Sequence, residues 1–167
     1  MPRLLPAAFA ALAALLALPA AHAADATVLE CGALFDSRSG RMLGPHAVTV
    51  RDGRIESVTA GAAAAVPGAQ HIDLGGHACM PGWTDLHVHL GSQSSPQSYA
   101  EGFRMDPVDH AFRAVGYAEK TLLAGFTSVR DLGGEVAPHL RDAINQGLVT
   151  GPRIFAAGKS IATTGGH

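Results

Sequence analysis

Beyond residue 25 the chain changes rhythm once, at Pro81. Before it, apolar residues come in short runs broken by turn residues, the spacing of β-strands. Residues 27–31, 47–50 and 55–58 are predicted strands. Arg51-Asp52-Gly53-Arg54 supplies a hairpin turn between the last two, because Asp-Gly tolerates positive φ. Residues 71–74 and 78–80 complete a small all-β unit, and the Ala run at 60–65, beside Pro67-Gly68, reads as a loop.

After Pro81 the pattern becomes strand, helix, strand, helix, strand. Trp83, Leu86, Val88 and Leu90 are apolar on both faces of the first strand, as in a strand buried within a parallel sheet. Asp106 is placed to cap a helix with Pro107 in its first turn, and Val108, Phe112, Val115, Leu122 and Leu123 form its apolar stripe. Gly125 ends that helix, and 126–130 is the second strand. A second helix runs from about Val136 to Gln146 and stops at Gly147, and 153–157 is the third strand. Alternation of this kind predicts an α/β fold with a parallel sheet.

The first 23 residues stand apart. Arg3, an Ala/Leu run over 4–18 and the small-x-small Ala21-His22-Ala23 read as a cleavable signal peptide, too short in its core for a stable membrane anchor. No twin-arginine pair precedes the run, so the general secretion route to a periplasmic or secreted location is expected. Net charge is -2 with 16% charged residues and no Lys/Arg cluster, which argues against a nucleic-acid partner. Export permits a disulfide between the two cysteines, Cys31 and Cys79, yet the pair reads equally as two buried thiols. Free thiols are favoured, since a domain of this type needs no staple.

The chemistry concentrates in Pro81-Gly82-Trp83-Thr84-Asp85-Leu86-His87-Val88-His89-Leu90. Side chains at i and i+2 of a strand point to one side, so His87 and His89 offer two imidazoles to one metal ion. Imidazole suits Zn, Fe, Ni and Cu alike.

Pro-Gly-x-x-Asp-x-His-x-His, preceded by His71-Ile72-Asp73-Leu74-Gly75-Gly76, resembles the first barrel strand of the amidohydrolase superfamily. Ala124-Gly125-Phe126-Thr127-Ser128-Val129-Arg130-Asp131-Leu132-Gly133-Gly134 narrows the likeness to the metal-dependent hydrolases of the imidazolonepropionase and Xaa-Pro dipeptidase group. Residues 151–158 and Thr164-Gly165-Gly166-His167 continue it. The resemblance implies the start of a TIM-type (β/α)8 barrel, its first three strands, preceded by part of a small β-sandwich. The implied domains are a leader over 1–23, the β-unit over 24–80 and the barrel portion over 81–167.

It implies further a divalent metal, zinc first, as one or two ions held in part by His87 and His89. A lysine on the fourth strand, histidines on the fifth and sixth and an aspartate on the eighth, the general base, are expected beyond residue 167. His167 is an expected substrate contact. Asp85 either orients a ligand's second nitrogen or caps the strand start. Arg130 and Asp131, at a strand end where function collects, serve the site or pair with each other to fix the loop. Lys159 follows the third strand rather than the fourth and reads as a solvated loop lysine. His46, His71, His77, His110 and His139 read as surface or capping residues, the last two facing outward from helices.

The implied activity is metal-assisted hydrolysis of a C–N bond in a small amide or dipeptide by an exported enzyme, with a homo-oligomer possible for the full-length parent. An ester or phosphotriester hydrolase of the same fold competes with it. So does a non-catalytic periplasmic binding protein on a degenerate barrel. The stop at His167, directly after a Gly-Gly turn, reads as a truncated frame, which adds an inactive fragment to the alternatives.

Overall fold

The computed structural model describes residues 26–164; the expected leader and His167 lie outside the described residues. Two compact units divide at Met80/Pro81.

The first unit is one mixed five-stranded sheet of β1 (Ala26–Asp36), β2 (Arg41–Leu43), β3 (His46–Arg51), β4 (Arg54–Ala60) and β5 (Gln70–Cys79). β1 is central: it pairs antiparallel with β2 and β3 and parallel with β5. The buried residues of this sheet are Ala26, Val28 and Cys31 of β1 and Ala47, Val48 and Thr49 of β3. The β3–β4 turn has positive φ at both Asp52 and Gly53 (50° and 70°), the paired left-handed residues that match strand twist in a tight hairpin. The two short strands expected over 71–80 are one strand, β5.

Cys31 and Cys79 form a disulfide, overturning the free-thiol expectation. The cause is the parallel neighbourhood of β1 and β5, which brings their Cα atoms to 5.8 Å, within bridging range. Gly32 permits this register: a Cβ there would collide with the Gly75 carbonyl.

The second unit holds three parallel strands in the order β6 (Trp83–Val88), β7 (Phe126–Asp131), β8 (Arg153–Ala156). α1 (Ser98–Arg104) and α2 (Pro107–Leu123) link β6 to β7, and α3 (Val136–Asn145) links β7 to β8. Repeated strand–helix alternation forces this parallel arrangement. α1 was not indicated by the sequence; it buries no residue and is tied to α2 by the Arg113–Glu101 ion pair at 2.7 Å. The α2 start is a full capping box, the Asp106 carboxylate accepting from the amides of Val108 and Asp109 while Asp109 accepts from the Asp106 amide.

The core joins Leu90, Ala114, Ala118, Val129, Val136, Leu140 and Ile154. The α2 stripe is therefore rotated from expectation. Ala111, Ala114, Val115 and Ala118 face the core, whereas Val108, Phe112 and Leu123 are exposed. Small residues win the inner face because they let the helix approach the sheet closely. β6 also departs from its expected burial, with Trp83 51% and Leu86 59% exposed. It is an edge strand, with β7 its only partner among the described residues.

Candidate metal centre

β6 does not run regularly into its histidines. Asp85 pairs with Val129 but Val88 with Asp131, so one extra residue bulges between them. His87 lies in that bulge, and His89 lies one residue past the strand, where its carbonyl accepts from the Ser92 amide at 3.2 Å. The i, i+2 rule alone therefore does not describe the pair. The two rings are nonetheless neighbours, with centroids 5.4 Å apart and planes at 67°.

Bulging frees backbone groups, and two side chains take them up. The Asp85 carboxylate accepts from the His87 amide at 2.9 Å, and Arg130 Nε donates to the Leu86 carbonyl at 2.8 Å. Asp131 is fully buried. One of its oxygens accepts from the Leu90 amide at 2.7 Å and the other from the Gly133 amide at 3.1 Å. Asp85 thus holds backbone, and Arg130 and Asp131 grip different main-chain groups rather than each other. All three expected residues fix the main chain from which the two imidazoles project.

His89 Nδ1 lies 3.5 Å from the Gly133 carbonyl, at the long limit of a hydrogen bond. Two imidazoles on one tetrahedral ion, each nitrogen about 2.1 Å from it, place their centroids about 5 Å apart. The observed centroid separation of 5.4 Å is of that size. Among the described residues no group of three or more His, Cys, Asp or Glu gathers to complete one.

A 260 Å³ cleft opens beside His89, bounded also by Gly91, His110, Gly133, Glu135 and Val136. At its rim Glu135 and Lys159 pair at 2.7 Å; Lys159 is 79% exposed, the loop lysine expected. The Lys159 ammonium holds the Glu135 carboxyl below its ordinary value, and Glu135 raises Lys159 in return.

Of the remaining histidines, His46 donates to the Gly44 carbonyl, His71 lies 3.5 Å from Glu30, and His77 and His139 are exposed. His110 departs from expectation. It is half-buried and turns inward, its Nδ1 donating to the Gly91 carbonyl at 3.2 Å. Asp106 and Pro107 marked its helical turn in the sequence, but nothing local announced its partner 19 residues earlier.

The pattern of the amidohydrolase family matches residues 78–166. Ochratoxinase from Aspergillus niger is 35% identical over 92 residues, which make up 53% of this chain and 18% of that protein. Imidazolonepropionase from Klebsiella pneumoniae (strain 342) is 49% identical over 49 residues, covering 29% of this chain and 12% of that one. A Xaa-Pro dipeptidase crystallised with bound methionine superimposes with a TM-score of 0.78 at 37% identity, over 86% of this chain and 36% of its own. A prolidase in complex with N-methylphosphonate-L-proline gives 0.72 at 37% identity, over 85% and 34%. The chain therefore spans about a third of these solved relatives and less than a fifth of the curated ones. With the His87–His89 strand and both following strand–helix steps inside the matched region, the chain belongs to the amidohydrolase family.

Proposed function

We propose that this chain carries the first strands of a TIM-type barrel and half of the metal site of an exported hydrolase that cleaves C–N bonds in small amides or dipeptides. The observation that carries the reading is the His87–His89 pair, whose ring separation suits two nitrogens on one divalent ion, zinc first. When bound, such an ion supplies Lewis acidity toward the scissile carbonyl. The chain's own part is to hold the two imidazoles on a bulge braced by Asp85, Arg130 and Asp131. The substrate class is supported by relatives named for dipeptide and cyclic-amide chemistry. Export is supported by the Cys31–Cys79 disulfide, which persists in oxidising compartments. His167, outside the described residues, is the proposed substrate contact on the resemblance alone.

The test has two parts. Translation of the gene past codon 167 should show a lysine, two histidines and a late aspartate in that order; their absence overturns the hydrolase reading. Zinc titration of the protein, followed with a chromophoric chelator, should show a site that His87→Ala and His89→Ala each weaken. Dipeptides and N-acyl amino acids are the substrates to assay first.

A further inference from the structure

The turn that carries His89 is held from three directions. Its ring reaches the loop after β7 through Gly133, the next amide (Leu90) is bound by Asp131 at the end of β7, and the Gly91 carbonyl is bound by His110 from α2. The contact at Gly133 is 3.5 Å, too long to orient a ring strongly. Orientation must come from the main chain, and there Gly91 is the soft point, since a residue without Cβ has the widest freedom. We propose that His110 is a positioning residue: by fixing the Gly91 carbonyl it sets the His89–Ser92 turn and so the direction of the His89 imidazole. This rests on the metal reading above.

The local structure makes His110 suited to that task. The capping box and Pro107 immobilise the first turn of α2. Helical side chains tilt toward the helix N-terminus, and from the first turn of α2 the imidazole reaches the Gly91 carbonyl in the turn after β6. Because a carbonyl accepts only, the contact also requires the proton on Nδ1.

The experiment compares His110→Leu, His110→Asn and the exposed control His139→Leu. Zinc affinity is read by chelator competition, and the ring resonances of His89 and His110 by nitrogen-15 NMR of the metal-free protein. His110→Leu is expected to weaken zinc binding, by less than the roughly tenfold or greater loss seen when a group hydrogen-bonded directly to a ligand is removed, and to move the His89 ring signals. His110→Asn, which keeps a donor near the Nδ1 position, should restore both, and His139→Leu should change neither. Unaltered zinc affinity together with unmoved His89 signals in His110→Leu overturns the proposal. If His110→Leu does not fold, the wild-type spectrum decides: protonation on Nδ1 supports the assignment and protonation on Nε2 alone overturns it. Zinc affinity untouched by His87→Ala and His89→Ala would sink the metal reading instead, while the His89 signals still report on positioning.

Discussion

Asp131 is the residue on which the geometry around His89 depends most. Both of its oxygens accept main-chain amides, and it is wholly out of solvent. Asp131→Ala orphans two buried or half-buried donors, each worth about 1–3 kcal/mol, so urea unfolding followed by circular dichroism should show a loss of about 2–4 kcal/mol. Asp131→Asn keeps one acceptor and should lose less; equal losses would argue against the two-amide account. The Glu135–Lys159 pair behaves differently, being exposed. Glu135 is depressed, so its contribution is present above the ordinary carboxylate value and lost as pH falls through the depressed one. Lys159 is raised, so its share holds below the ordinary lysine value and disappears as pH rises through the raised one. Amide shifts of Gly134 and Lys159 should therefore move at both ends of the pH range, and Glu135→Gln should flatten the acidic limb. High salt should weaken the contact as well.

Elements differ in how openly they announce themselves. The α2 start was legible because an N-cap aspartate followed by proline is a local signal, as was the Asp52-Gly53 turn, whose two residues dictate their own backbone. The inner face of α2 was not legible, because Phe112 and Val108 outweigh alanines in any hydrophobic pattern while Ala114 and Ala118 fit the space that exists. The β6 bulge was equally hidden: it depends on pairing with β7, and a strand's register is a property of two segments. The two histidine rings are neighbours in the bulge as well, with centroids 5.4 Å apart. Two substitutions test the element contacts. Ile154→Ala, in the core beside Val129, should cost about 2–5 kcal/mol in urea unfolding. Gly32→Ala should disrupt the β1–β5 pairing, seen as faster hydrogen exchange along both strands, whereas Gly44→Ala, with open space around it, should leave exchange there unchanged.

At the scale of the whole molecule, one covalent link outweighs any single contact. The Cys31–Cys79 disulfide spans 48 positions, and a loop of that length restricts the unfolded chain by about 4 kcal/mol in the chain-entropy account. Reduction, or Cys31→Ser with Cys79→Ser, should therefore lower the urea midpoint, and a reduced chain unfolding at the oxidised midpoint would show the link to be incidental. No sequence pattern marked the pairing, because two cysteines so far apart meet only through the order of the strands between them. That order also carries a schedule. β1 is the first described strand to be synthesised, and β5, which closes its second edge, is the last of its unit. Contacts this distant in sequence form slowly. β1 must therefore wait, with Val28 and Leu29 uncovered along one edge, while β3 and β4 fold beside it. In that interval it is the segment of this unit most open to a chaperone or to a neighbouring chain.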